Sequence, residues 1–240
     1  WINRDTGLRR FKTIYDEVPR KNAKTTLASG VGLYMLNRDD EAGAEIYSAA
    51  TTADQAKISW SIAKQMVDKS AKMRLRFGVK TFAHSIARES EGSFFQYLSS
   101  DSKGLDGLNT SAAIIDELHA HKNREVFDVM ETSTGSREQS LIFIITTAGT
   151  NLAGICYEQR AYLIKILDRV VYDESYFGII YTIDEGDKWH DPKIWAKANP
   201  NFGVSVYADA LKRFCDKELA LPAATTNFLT KRLTLWCDAD

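Results

Sequence analysis

The sequence has few cysteines, and they lie far apart. Cys156, Cys215 and Cys237 are the three in 240 residues, and no two of them have the C-x-x-C spacing of a metal site. A disulfide-bonded framework or a structural zinc site needs more cysteines at closer spacing. We therefore expect free thiols and a reducing, intracellular environment.

Long apolar runs are also missing. No run approaches the roughly 20 apolar residues of a membrane-spanning helix, and the first residues lack the apolar stretch of a signal peptide. These absences predict a soluble protein with no membrane partner. The chain begins at Trp1 without a methionine and stops at Asp240 without a tail, so we expect a fragment of a longer protein.

Neither sign of charge is in excess. The 31 Lys and Arg residues balance 32 Asp and Glu residues, for a formal net charge of −1. A polyanionic partner therefore has to bind a local basic surface. One basic cluster comprises Arg4, Arg9, Arg10, Lys12, Arg20, Lys21 and Lys24. A second comprises Lys64, Lys69, Lys72, Arg74, Arg76 and Lys80, and solvated helix faces explain this second cluster equally well.

Short apolar runs alternate with amphipathic helical patterns along most of the chain. Strands are predicted at residues 13–18, 44–49, 94–98, 111–116 and 141–147, and helices at residues 25–36, 54–69, 124–132 and 155–171. The nearly all-apolar runs are typical of strands that are buried on both faces of a parallel sheet. The pattern predicts a doubly wound α/β domain.

The composition changes after the apolar run at residues 176–183. The polar segment at residues 184–187 suggests a boundary, which divides the chain into an α/β domain at 1–184 and a helical linker subdomain at 185–240. A short helix is predicted to begin at Asp191 and Pro192 and to be broken by the Asn-Pro-Asn sequence at 199–201. Two further helices are predicted at 208–221 and 223–235.

The first motif that indicates chemistry is VPRKNAKT at residues 18–25, between a predicted strand and a predicted helix. This is where a phosphate-binding Walker A loop, G-x-x-x-x-G-K-S/T, has to lie. Only Lys24 and Thr25 match that pattern fully, because Val18 and Ala23 replace its glycines. A basic surface turn explains the segment equally well when it is taken alone. The Ala23 methyl group is expected to crowd the phosphate, although alanine can adopt the helical dihedral angles needed at the end of the loop.

A second motif, AAIIDE at residues 112–117, is an apolar strand that ends in two acids. This is the Walker B arrangement, which brings Asp116 to a Mg²⁺ ion. The following carboxylate, Glu117, is placed to deprotonate the attacking water. The alternative is a pair of acids at a helix N-terminus, which is less common after a fully apolar strand.

A third apolar strand ends in Thr146 and Thr147, followed by Gly149. Hydroxyl groups at this position can sense a γ-phosphate, although such an end is more often a plain exit into a loop, with Gly149 supplying a turn. The order of the three motifs favours a P-loop ATPase, because the chance occurrence of all three in this order is less probable than the chance occurrence of one.

The three motifs resemble the Walker A, Walker B and coupling motifs of the large terminase subunits of tailed bacteriophages. Residues 47–56, 105–108, 189–192 and 195–200 are also similar to segments of that family, so the resemblance covers nearly the whole chain. It implies a P-loop NTPase fold of the RecA/ASCE type. It also implies ATP hydrolysis that drives the packaging of double-stranded viral DNA into a procapsid.

The resemblance also implies roles for single residues, with ATP and Mg²⁺ as cofactors. Lys24 would bind phosphate, Thr25 and Asp116 would hold Mg²⁺, and Arg20 would contact the γ-phosphate and take part in catalysis with Glu117. Coupling to movement is expected of Thr146, Thr147 and Gly149. The full set of expected nucleotide-binding residues is Arg20, Lys21, Asn22, Ala23, Lys24, Thr25 and Thr26.

The partners implied by the family are double-stranded DNA, a portal protein, a small terminase subunit and further copies of the chain in a ring. The implied location is the host cytoplasm, docked on the procapsid during packaging. The candidates for an arginine finger that reaches into a neighbouring subunit are Arg74, Arg76, Arg88 and Arg124. For any one of them, a surface salt bridge is the better interpretation.

Alternative interpretations remain open. Residues 116–119 (DELH) also resemble the D-E-x-H box of superfamily 2 helicases, but the chain has no room for a second RecA-like domain. A degenerate loop that serves only assembly is the non-enzymatic alternative. We expect no nuclease domain, since Asp238 and Asp240 are more consistent with a solvated linker. His119 and His121 are interpreted as loop histidines, because no third metal ligand lies at a recognisable spacing.

Overall fold

The protein, represented by a computed structural model, is described at residues 2–99, 107–221 and 225–238. Its strands are rich in β-branched and aromatic residues, which pack well on a pleated surface. The strands are β1 (Thr13–Glu17), β2 (Glu45–Ala50), β3 (Lys80–Thr81), β4 (Ser85–Arg88), β5 (Ser93–Ser99), β6 (Thr110–Asp116), β7 (Leu141–Thr146) and β8 (Tyr176–Ile180). Within the described ranges they form one sheet in the order β3-β4-β5-β2-β6-β7-β1-β8.

The strands that carry the three motifs are neighbours. β6 pairs with β7 and β7 with β1, both in parallel, with Asp116 opposite Ile145 and Glu17 opposite Thr146. The carboxyl ends of parallel strands meet at one edge of a sheet, and ligands of open α/β sheets bind outside that edge. The Walker A, Walker B and coupling segments therefore lie together.

Helices cover both faces of the sheet. They are α1 (Lys24–Arg38), α2 (Ala53–Lys69), α3 (Ala71–Phe77), α4 (Glu125–Thr132), α5 (Ile155–Leu167), α6 (Trp195–Ala198), α7 (Ala208–Ala220) and α8 (Thr225–Leu233). Buried Leu33 and Trp60 of α1 and α2 pack on one face, and buried Met130 and Leu163 of α4 and α5 pack on the other. The predicted doubly wound α/β fold with a mainly parallel sheet is confirmed.

Three details differ from the sequence prediction. The sheet has an antiparallel edge, in which β3 pairs with β4 and β4 with β5. β3 and β4 are too short for their alternation to be recognised, and α3 was not predicted either. Helix α5 ends at Leu167 and not at residue 171, because Arg169 adopts a left-handed conformation with φ 60° and the Val170 N–H binds the Lys165 carbonyl at 2.8 Å. Of the family-like segment at 105–108, residues 105 and 106 lie outside the described residues, as does residue 223 of the last predicted helix.

The C-terminal helices have a hydrophobic cluster of their own. It contains Ile183, Trp195, Leu211, Phe228 and Leu233, all buried. The same region is bonded to the sheet, since the Thr182 hydroxyl donates to the Leu233 carbonyl at 3.1 Å. The division at residue 184 stays a prediction. In the described part of the chain, no helix has the length and apolar character needed to cross a membrane.

Candidate active site

The loop between β1 and α1 has two non-glycine residues in the left-handed region. Lys21 has φ 75° and Ala23 has φ 63°. We expected Ala23 to adopt the dihedral angles of an α-helix, and this is wrong, because its backbone is left-handed. The left-handed conformation costs roughly 1–2 kcal/mol in an L-residue. No acidic side chain lies in the first turn of α1, so the positive end of the helix is left for an anion.

Lys24 and Glu117 join the Walker A and Walker B segments. The buried Lys24 ammonium lies 3.1 Å from Glu117 Oε1. Burial raises the pKa of Glu117, but Lys24, His119 and Arg20 together outweigh it, so this pKa lies below its ordinary value. Glu117 is therefore ionised at neutral pH, as a general base has to be. Its backbone is left-handed, with φ 52°, and turns the chain sharply after β6.

Asp116 has one carboxylate oxygen that is ready for a ligand. Its Oδ2 accepts a hydrogen bond from the Ser59 hydroxyl at 3.2 Å, whereas Oδ1 is buried and has no hydrogen-bond partner among the described residues. Burial and the charge of Glu117 raise the pKa of Asp116 to about 6, against the attraction of Lys24. A cation at Oδ1 would satisfy this atom and stabilise the charged form, so Asp116 fits a Mg²⁺ site.

A chain of hydroxyl groups connects Asp116 to the expected Mg²⁺ ligand Thr25. The Ser29 hydroxyl donates to the carbonyl of Thr25 and to that of Ser59, each at 2.7 Å, and Ser59 donates to Asp116. The sequence analysis missed both serines. Ser29 lies four residues after Thr25 on α1, a spacing that could have indicated it, but nothing in the sequence pairs Ser59 with Asp116.

Thr146 and Thr147 are fully buried at the end of β7, beside His119. Thr146 Oγ1 lies 3.1 Å from both the backbone nitrogen and Nδ1 of His119, and it donates to the Thr147 carbonyl at 2.9 Å. Gly149 does not have a positive φ, so the expected turn is not the reason for this glycine. A Cβ there would lie 3.1 Å from His119 Cβ and 3.3 Å from the Trp236 ring.

His119 is part of the site and is partly buried, which the interpretation as a plain loop histidine missed. Its Nδ1 lies 3.1 Å from Glu117 Oε2, and its Nε2 lies 2.6 Å from the Lys231 ammonium of α8. Burial and Lys231 lower the pKa of His119 to about 4, so the ring is neutral near pH 7. Because an ammonium group can only donate, Nε2 has to accept and Nδ1 has to carry the proton.

The C-terminal region holds the phosphate-binding loop from outside. Asn22 Nδ2 donates to Asn199 Oδ1 at 2.8 Å, and the Asn201 N–H donates to Asn22 Oδ1 at 3.0 Å. The Ser205 hydroxyl donates to the Lys21 carbonyl at 2.6 Å. The side chain of Asn22, a residue expected to bind nucleotide, is therefore bonded to the linker segment.

Apart from Asn22 and Lys24, which are buried, the residues expected to bind nucleotide are accessible. Arg20, Lys21, Ala23 and Thr26 are exposed, and Thr25 is half-buried. The structure thus brings together Lys24, Thr25, Asp116, Glu117, Thr146 and Thr147. It adds Ser29, Ser59, His119 and Lys231 to them.

The four candidate arginine fingers have contacts within their own chain. Arg74 donates to the Val67 carbonyl at 2.6 Å, and Arg88 donates to the Phe77 carbonyl at 3.1 Å. Arg124 pairs with Asp128 at 2.7 Å, and the Arg76 guanidinium lies 5.6 Å from the Phe77 ring centre. These contacts do not identify any one of the four as an arginine finger.

Comparison with known proteins identifies the family. The sequence profile of the terminase large subunit ATPase domain matches residues 1–165. The chain belongs to this family. A second profile, that of the terminase large subunit endonuclease domain, matches residues 170–240. The expectation of no nuclease domain therefore has to be corrected in part, because it was based on the acidic residues Asp238 and Asp240, whereas the similarity extends over residues 170–240. Among the described residues no group of three or more His, Cys, Asp or Glu side chains could hold a metal ion.

Terminases and a bacterial protein are among its relatives. Protein YmfN of Escherichia coli (strain K12) is 40% identical over 164 residues, which cover 68% of this chain and 35% of that protein. The large terminase subunit of Enterobacteria phage HK97 is 24% identical over 217 residues, which cover 88% of this chain and 42% of that protein. The chain thus spans less than half the length of these two relatives.

Solved terminase structures share the fold. The crystal structure of the HK97 large terminase superposes with a TM-score of 0.83 at 22% identity, over 94% of this chain and 47% of that one. The Thermus phage P74-26 large terminase ATPase domain superposes with a TM-score of 0.60 at 16% identity, over 96% and 92% of the two chains. The predicted P-loop NTPase-like fold and the resemblance to large terminases are confirmed, and the helicase alternative is not favoured.

Proposed function

We propose that this chain binds Mg·ATP at the loop between β1 and α1 and hydrolyses it to drive the packaging of viral DNA. The observation that carries the proposal is the meeting of Lys24, Asp116 and Glu117 at the carboxyl ends of β1 and β6. A cation at a helix N-terminus beside one buried and one half-buried acid is the arrangement that phosphoryl transfer requires.

Each residue has a distinct task in this proposal. Lys24 and the first N–H groups of α1 bind the phosphates, and Arg20 contacts the γ-phosphate from the exposed side of the loop. Thr25 and Asp116 would hold Mg²⁺, which when bound neutralises charge on the phosphate oxygens. Glu117 orients the attacking water and accepts its proton. The phosphates compete with Glu117 for Lys24, so substrate binding frees the carboxylate of its ion pair.

Glu117→Gln tests the hydrolytic part of the proposal. Glutamine has nearly the same shape but cannot accept a proton, so we expect phosphate release to fall by roughly 10²- to 10⁴-fold while Mg·ATP still binds. The measurement is steady-state phosphate release with wild type and variant, with and without linear double-stranded DNA. Release by Glu117→Gln at the wild-type rate would remove Glu117 as the base.

The wider assembly follows from the family. We propose a homo-oligomeric ring around double-stranded DNA, formed with a portal protein and a small terminase subunit on a procapsid in the host cytoplasm. A net charge of −1 gives one subunit little general attraction for DNA. Basic patches presented together by several subunits provide the grip, and stimulation of phosphate release by DNA should weaken as salt rises.

A further inference from the structure

One residue of the C-terminal region, Lys231 of α8, contacts the loop between β1 and α1, the segment that follows β6 and the segment that follows β7. Its carbonyl accepts a hydrogen bond from the Arg20 N–H of the phosphate-binding loop at 3.0 Å. Its ammonium lies 2.6 Å from His119 Nε2, 3.3 Å from the Ala148 carbonyl and 3.5 Å from the Thr147 hydroxyl. We propose that Lys231 is a positioning residue that fixes the His119 ring, and through it the Glu117 base, according to the position of α8.

The hydrogen-bonding capacity of each group gives the mechanism. Lys231 donates to His119 Nε2, which places the ring proton on Nδ1, where it is donated to Thr146 Oγ1 at 3.1 Å. Glu117 Oε2 lies 3.1 Å from the same nitrogen but accepts no hydrogen bond from the described residues, so the Nδ1–H group acts on this carboxylate electrostatically. Without the ammonium, Nε2 loses its donor and the ring can adopt the other tautomer. Nδ1 would then present a lone pair, and not a proton, to the Glu117 carboxylate. The orientation of the base thus depends on a helix outside the α/β sheet.

The surroundings of Lys231 disfavour a charged side chain, so a purely structural role does not explain why a lysine is found there. Burial lowers the pKa of its ammonium to about 8; Arg20 and Lys24 also lower it, whereas Glu117 and Cys156 raise it. Arg20, Lys24 and Lys231 are three cations around the Glu117 carboxylate. An apolar side chain would fill the space without that cost, whereas a bound triphosphate would compensate the excess positive charge. The arrangement is therefore suited to a site that receives an anion.

Turnover measurements with Lys231→Met and Lys231→Arg test the proposal, which rests on the proposed ATPase function. We expect Lys231→Met to lower kcat by roughly 10- to 100-fold, as is typical when a partner that orients a functional side chain is lost, with little change in Mg·ATP affinity. Lys231→Arg keeps a donor and should recover part of the rate. The matched control is Lys212→Met, because Lys212 is an exposed lysine of α7 paired with Asp216 at 2.7 Å. Thermal melting checks that each variant is folded.

A second readout does not depend on turnover. In ¹⁵N spectra of histidine-labelled protein, the wild type should show His119 with its proton on Nδ1, and Lys231→Met should lose this preference. A wild-type ring protonated on Nε2, or equal kcat in Lys231→Met and wild type, would overturn the proposal. If the wild type hydrolyses no ATP, the proposed function fails, and the tautomer measurement still decides the role of Lys231.

Discussion

Two neighbouring acids at the end of β1 have different surroundings. Glu17 is fully buried, and its carboxylate accepts hydrogen bonds from Tyr15 at 2.7 Å, Arg160 at 3.2 Å and Trp236 at 3.2 Å. Asp16 points the other way and lines a cavity of about 270 Å³ together with Lys24. Three hydrogen-bond donors thus stabilise the buried carboxylate of Glu17, whereas the carboxylate of Asp16 is stabilised by the charge of Lys24.

Asp16→Asn should therefore stabilise the protein, but only at higher pH. Burial, partly offset by Lys24, raises the pKa of Asp16 from 3.8 to about 6. The folded state then binds more protons than the unfolded state between these values, so the wild-type free energy of unfolding falls as pH rises through this range. Asparagine does not titrate and so avoids this loss. The substitution should raise the free energy of unfolding by up to roughly 3 kcal/mol above pH 6 and by almost nothing below about pH 4. Urea unfolding at both pH values measures this, and an equal effect at the two would refute the assignment.

Of the single residues at the candidate site, the sequence predicted those that belong to a local pattern. Lys24, Asp116, Glu117 and Thr146 follow a strand or open a helix in a recognisable order, and parallel pairing is enough to bring them together. Lys231 could not be predicted, because its contact with His119 joins positions far apart in the chain. The partners of the Asn22 side chain could not be predicted for the same reason, since they lie in the C-terminal region.

Helix α1, which carries Lys24 in its first turn, packs closely on the sheet at Gly32. A Cβ at Gly32 would lie 2.8 Å from Phe95 Cε1 and 2.9 Å from Ile114 Cδ1, whereas a Cβ at Gly30 would meet nothing within 4 Å. Gly32 thus lets α1 lie close against β5 and β6. The distance between the start of α1 and the end of β6, on which the Lys24–Glu117 pair depends, is set partly by this glycine.

The two glycines give a matched pair of alanine substitutions. Gly30→Ala should raise the free energy of unfolding by roughly 0.5–1 kcal/mol, because alanine is the better helix former and the site is open. Gly32→Ala should lower it by about 1–3 kcal/mol, because overpacking exceeds the gain in helix propensity. Denaturant unfolding measures both, and stabilisation by Gly32→Ala would contradict the close packing of α1 on the sheet.

The elements that were predicted correctly are those with strong periodicity or a long apolar run, such as β6 and β7, which are buried along their whole length. The β3–β4 hairpin was missed because two to four residues are too few to show an alternation. The end of α5 was placed too late because Arg169 takes a left-handed conformation that favours glycine.

For the whole molecule, the catalytic α/β sheet and the C-terminal helices share the site. Helix α8 contributes Lys231 to the candidate site, and the segment between α6 and α7 bonds to the loop between β1 and α1 through Asn199, Asn201 and Ser205. A change at the nucleotide therefore has a short physical route to α8, and movement of α8 has the same route back to Glu117. This reciprocity is what a motor that converts hydrolysis into movement requires.

The binding of Mg·ATP at Lys24 is the claim on which the rest depends, and calorimetric titration of wild type and Lys24→Ala tests it most directly. Lys24 supplies a charge-assisted hydrogen bond to phosphate, worth about 1.5–3 kcal/mol, so its loss should weaken binding by at least roughly tenfold. Lys212→Ala, which removes an exposed lysine of α7, should bind as the wild type does. Equal Mg·ATP affinity in wild type and Lys24→Ala would contradict the account.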